Sequence, residues 1–228
     1  MTAPVSARKI TGDQDLADWI RTNGRSAGIA AGTVAVVALG VWLYTASENR
    51  KEAFASQALM QARGEAESGN LPLAASDLTR LAERFGGTRA ADQAVILLNQ
   101  TRLVQGQREV AINALRQFVS GSHPDYVKAS AYALLGGALE DGGKSREAAE
   151  AFRQAAQNAR LDFLKAQYLI DAGRTFVTAR DTAAARTAYG EVLSKFGRLD
   201  QAAEARVRMA EIGGVVPPPL PRDSSKAG

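Results

Sequence analysis

Side chains able to do chemistry near neutral pH are scarce in this chain. His123 is the only histidine, and there is no cysteine. Thiol catalysis, thiolate zinc sites and disulfides are therefore excluded, as is any metal motif that needs two histidines. Glu140 and Asp141 are adjacent carboxylates, but adjacent residues on a helix do not face one another. With Gly142 behind them they read as a solvated helix end. His123 stands in "GSHPDY", a proline-containing joint in which an exposed imidazole is expected. Phosphate-cradling patterns of the GxGxxG or GxxxxGK[ST] type are absent. The residues predict binding rather than turnover: no enzyme, no cofactor, no metal and no small-molecule substrate.

The elements that would carry a binding surface come from a repeat. Ala74, Ala111, Ala148 and Ala185 follow one another at intervals of 37 residues. Four positions after each stands a large residue: Leu78, Leu115, Phe152 and Tyr189. Five positions before each stand Gly69, Gly106, Gly143 and, breaking the rule, Arg180. Gly136 and Gly173 match one another in the last two units.

Each unit has the pattern of a helical hairpin. In the third, Val127, Ala131, Leu134, Leu135 and Leu139 recur at helical spacing, and "DGGK" stops the helix. "SREAAEAFRQAAQNA" restarts it, with Ser145 placed to cap and Ala148, Phe152 and Ala155 facing inward. Pro124 suits the first turn of the hairpin. Leu199 to Ile212 reads as a last, capping helix with Ala202, Ala203, Val207 and Ala210 inward. A small residue, a large one four later and a glycine turn before them resemble the tetratricopeptide repeat. The third unit is nearest to it, and the first two depart from it with Asn99, Glu65 and Arg102 at positions usually small or aromatic. The family's own period is about 34 residues, so each unit here is longer.

One stretch is not called for by soluble helices. Ser26 to Ala46 runs for 21 residues without a charge. At 1.5 Å per residue such a helix spans about 30 Å, the thickness of a bilayer's hydrocarbon core. Trp42 and Tyr44 stand near its far end, where aromatic rings favour the interface. The expected fold is therefore all-α: an N-terminal transmembrane helix, then an α-solenoid of four tetratricopeptide-like hairpins, then the capping helix. Its divisions are residues 1–25, a cytoplasmic segment with a short amphipathic helix carrying Leu16, Trp19 and Ile20; 26–46, the anchor; 47–212, the repeats; and 213–228, a disordered proline-rich tail. Pro218 and Pro221 in that tail form a PxxP. Gly28, Gly32 and Gly40 are spaced to form a packing face within the membrane.

In a hairpin solenoid the first helices line the concave face. Their outward positions are Gln93, Ile96 and Gln100, then Ser130, Ala133 and Gly137, then Gln167, Ile170 and Arg174. These nine form the expected protein-binding groove, with Arg174 its sole cation. Net charge is +4, with both signs intermixed along the repeats, which predicts no nucleic-acid partner.

The whole layout resembles a single-span bacterial family that contains the ancillary subunit of the SecYEG translocon. The likeness is carried by Trp19, "NGR" at Asn23 to Arg25, the glycine-studded span, and "GVWLYTASENRKEAFASQAL" leading into the repeats. The resemblance implies an inner-membrane protein, N-terminus in the cytoplasm and repeats in the periplasm. It also implies association with translocon subunits, a membrane-bound chaperone and unfolded exported polypeptides. A scaffold for envelope assembly or cell division is the alternative of the same fold.

Overall fold

The structure is a computed structural model that describes the backbone of residues 12–218, with the side chains of Ile29 and residues 32–218. The described residues form nine α-helices and no strand: α1 Gly12–Glu67, α2 Leu71–Arg84, α3 Arg89–Val104, α4 Arg108–Ser120, α5 Asp125–Asp141, α6 Ser145–Asn158, α7 Asp162–Thr178, α8 Thr182–Lys195 and α9 Gln201–Glu211. Two compact units divide at Lys51 and Glu52, within the bounds of α1.

The four hairpins turn in one way. Gly69, Gly106, Gly143 and Arg180 all have left-handed φ, +84°, +76°, +74° and +59°. At each turn two N–H groups fold back onto carbonyls the helix leaves unsatisfied. In the third, Gly143 N–H donates to Glu140 O at 2.9 Å and Lys144 N–H to Leu139 O at 2.9 Å. The fourth repeats this from Arg180 to Val177 O and from Asp181 to Phe176 O, both 2.9 Å. This is the Schellman arrangement, which glycine enters without the clash a Cβ brings. Arg180, the departure from the glycine pattern, is held in the same geometry.

The alanines of the period are all fully buried at 0% exposure, so nothing larger fits where the hairpin's two helices meet. The large residues four later are buried as well. Gly136 and Gly173 now have a reason. A Cβ on Gly136 would stand 2.9 Å from the Phe152 ring, and one on Gly173 only 2.4 Å from Tyr189 Cε1. In the first two units the corresponding pairs are Ala62 with Leu78 and Asn99 with Leu115. Where the second helix brings a ring, the first supplies a glycine; where it brings leucine, the first carries a larger residue. Asn99, buried to 1%, satisfies its amide locally: Nδ2 donates to Val95 O at 2.8 Å, and Oδ1 accepts from Arg102 at 3.2 Å.

Second helices pack on the next unit's first helix, so the core continues along the repeats. One cluster joins Ala55, Leu59 and Ala62 of α1 to α2 and α3, a second joins α4, α5 and α6, and a third runs from α6 to α9. Ion pairs bridge successive units: Lys144–Glu109 at 3.1 Å, Arg146–Asp181 at 3.1 Å and Arg116–Glu147. Glu52 reaches the start of α3, where its carboxylate accepts from Arg89 N–H at 2.8 Å and Ala90 N–H at 3.0 Å.

Several local expectations are corrected. Ser145 is the first residue of α6 and caps nothing; Lys144 holds the cap position after the Gly143 turn. Pro124 precedes α5 as its cap residue, with extended ψ of 140°. α9 buries Ala202, Ala205 and Met209, while Ala203, Val207 and Ala210 are exposed. The long Met209 side chain, touching the α8 Gly190 position and Gly214, selects that face. His123 is half-buried rather than exposed: it stacks on Phe118 with centroids 3.9 Å apart, and Nδ1 lies 2.9 Å from Asp92 Oδ1. It ties the α4–α5 joint to the first turn of α3.

Among the described residues no helix is long and apolar enough to cross a membrane. The side chains of residues 26–28, 30 and 31, Gly28 included, lie outside the described set, as do those of Leu16, Trp19 and Ile20. Pro221 and the rest of the tail beyond residue 218 lie outside it too.

Candidate protein-binding groove

The first helices α3, α5 and α7 present the nine expected groove residues in unequal ways. Gln93, Ile96, Gln100 and Ser130 come together in one recess of about 400 Å³, closed by Arg63, Leu97, Tyr126 and Val127. Tyr126 and Ser130 are shared with a second recess of about 420 Å³ between α5 and α7, lined by Ala159, Arg160, Leu161, Leu164 and Tyr168. The two recesses adjoin at Tyr126 and Ser130, and together they are the candidate channel across this face. The guanidinium of Arg160 lies over the Tyr126 ring, 4.6 Å from its centroid.

The other five residues line neither recess. Ala133 and Gly137 are half-buried, and a Cβ on Gly137 would meet no atom within 4 Å, so that position is open. Gln167 lies 3.5 Å from Asp171 Oδ1, at the limit of a hydrogen bond. Ile170 is no groove residue. It is 1% exposed in the core that joins α7 to α9, because the capping helix covers the face that helical spacing alone left open. Arg174 is no free cation either: its Nη1 and Nη2 reach the two oxygens of Glu140 at 2.5 and 2.8 Å. That pairing holds its guanidinium above the ordinary arginine range. Burial pushes the nearby Asp171 carboxyl up, against the opposing pull of Arg174 and Gln167.

Sequence reasoning missed Tyr126, Leu161, Leu164, Arg160 and Tyr168. Leu161 and Arg160 sit in the joint before α7, and joints carry no helical period. Tyr126 opens α5 just after Pro124, where the proline signal was the only one read.

The opposite face also has recesses, and they repeat. One of about 530 Å³ lies between α6 and α8 over Leu169 and Phe176; another of about 450 Å³ lies over Tyr132 and Leu139, each exactly one period earlier. Carboxylates line both: in the larger, Glu150 pairs with Arg153 at 2.7 Å and Glu191 with Lys195 at 2.7 Å, and in the smaller, Glu147 pairs with Arg116. No group of histidines and carboxylates able to hold a metal occurs among the described residues.

The stacked hairpins, the Schellman turns and the glycine–aromatic contacts define a helical-repeat protein. The tetratricopeptide repeat-like domain family matches residues 17–212, and the chain belongs to that family. It is similar in fold to two crystal structures of MamA. One has a TM-score of 0.51 and 18% identity, covering 70% of this chain and 82% of that one. The other has a TM-score of 0.49 and 19% identity, covering 67% and 84%. No curated protein matches the chain.

Proposed function

We propose that this protein is a non-enzymatic scaffold, held at the bacterial inner membrane by residues 26–46, whose first-helix groove binds exported polypeptides beside the Sec translocon. The observation that carries the reading is the channel through Gln93, Ile96, Gln100, Tyr126, Ser130 and Leu164, where amide, hydroxyl and apolar side chains mix on the face that hairpin repeats offer to chains. Such a mixture suits a segment whose side chains anchor in recesses while its backbone meets amides and hydroxyls. The membrane part is supported by the side chains of residues 32–45, every one exposed. Val34, Val36, Val37, Leu39, Val41, Trp42 and Leu43 are each more than half exposed. Apolar surface around a whole helix is stable only against lipid or other helices.

A photoreactive residue at Gln100, activated in intact cells, tests the function. Adducts with translocon subunits, a membrane-bound chaperone or exported chains support it. Adducts confined to envelope-assembly or division proteins would favour the alternative scaffold instead. A reporter fused after Gly228 that works only in the cytoplasm would overturn the topology.

A further inference from the structure

We infer that the groove selects polypeptide segments in which acidic residues alternate with apolar ones. The inference rests on the reading of this face as a polypeptide site and adds the chemistry of what it accepts. The two recesses share Tyr126 and Ser130, so an occupant of both must pass that ring. Ile96 and Leu97 on one side, and Leu161, Leu164 and Tyr168 on the other, call for apolar side chains.

The charge is one-sided. Arg63 lines the first recess and Arg160 the second, and no carboxylate lines either. Several cations elsewhere on the repeats are matched: Lys144 by Glu109, Arg146 by Asp181, Arg174 by Glu140, Arg153 by Glu150. Arg63 and Arg160 make no ion pair among the described residues. The contact with the Tyr126 ring holds the Arg160 guanidinium beside the second recess, where its N–H groups can meet a carboxylate. Two unmatched cations beside apolar walls repel a lysine-rich segment and reward an acidic one. The recesses on the opposite face are lined by carboxylates as well as cations, Glu150 and Glu191 in one and Glu147 and Glu150 in the other, and lack that one-sidedness.

The test is selection of short random peptides, displayed in a carrier loop so that no terminal carboxylate is free, on the full chain in mild detergent. The expected sequences place Asp or Glu between apolar residues. Their affinity falls about tenfold or more on Arg160→Glu, the effect of losing a charge-assisted hydrogen bond. The double variant Arg63→Glu with Arg160→Glu, both exposed and therefore tolerant of change, selects Lys and Arg instead. Selection without acidic enrichment, identical peptides from both proteins, or selection only from a library with free carboxy termini would overturn the inference. Crosslinking at Gln100 does not depend on charge. Adducts there without acidic preference defeat this inference alone, whereas absence of polypeptide adducts defeats the underlying reading as well.

Discussion

Placing a methyl group on Gly173 tests how the hairpins are fitted together. In Gly173→Ala the new Cβ would stand 2.4 Å from Tyr189 Cε1, 2.7 Å from Cζ and 2.8 Å from Cδ1. Carbon atoms rest about 3.5–4.0 Å apart, so the ring must move by about 1 Å. Tyr189 is 1% exposed, so its ring cannot relieve the contact by turning into solvent. Overpacking costs about 1–3 kcal/mol, and a contact this far inside van der Waals distance belongs in the upper half of that range, about 2–3 kcal/mol. Alanine's better helix propensity returns up to about 1 kcal/mol, which leaves a net loss of about 1–2 kcal/mol. For a chain of this size that lowers Tm by roughly 2–8 °C. Gly136→Ala should cost less, since its nearest approach to Phe152 is 2.9 Å. Tyr189→Leu alone opens a cavity and also destabilises. The double variant Gly173→Ala with Tyr189→Leu recreates the Ala62–Leu78 pair of the first unit, so its loss should fall short of the sum by at least about 1 kcal/mol. The assay is urea denaturation of the full chain followed by far-UV circular dichroism. Strict additivity, or a Gly173→Ala protein as stable as the parent, would refute the fitted-pair account.

Arg180→Gly should stabilise the protein by about 1 kcal/mol, because glycine takes the +59° φ without the strain arginine carries; thermal melting checks this, and a loss of stability would contradict it. Glu52→Gln should loosen the start of α3 by about 1 kcal/mol, since the carboxylate that accepts from Arg89 and Ala90 also answers the helix dipole; faster amide exchange at those residues is the readout. Asp171→Asn should stabilise at neutral pH. Burial raises the carboxyl above its ordinary 3.8, so the folded state binds its proton more tightly than the unfolded chain. Stability therefore falls as pH climbs through the interval above 3.8, and the variant's advantage should vanish when pH drops below that interval.

The sequence carried the fold because the period is written in side-chain size. Ala74, Ala111, Ala148 and Ala185 had to be small, and the structure buries all four completely. The turn was legible three times as glycine. Arg180 hid the fourth, since the geometry tolerates a strained residue where the rest of the unit insists on it. The groove was only half legible. Helical spacing located Gln93, Ile96, Gln100 and Ser130, which share a recess, but it does not report what covers a helix from outside. Ile170 was lost to α9 for that reason, and Arg174 to Glu140, a partner in the preceding unit. α9 was read correctly at Ala202, but Ala203, Val207 and Ala210 looked as apolar as Ala205 and Met209, which are the residues the structure buries.

The most direct test compares the two faces of the repeats in living cells. A photoreactive residue replaces Ser130, in the first-helix channel, or Gln154, in the recess beside α6 on the other side. The account predicts polypeptide adducts from position 130 and few from 154. Adducts chiefly from position 154 would place binding on the opposite face and contradict it.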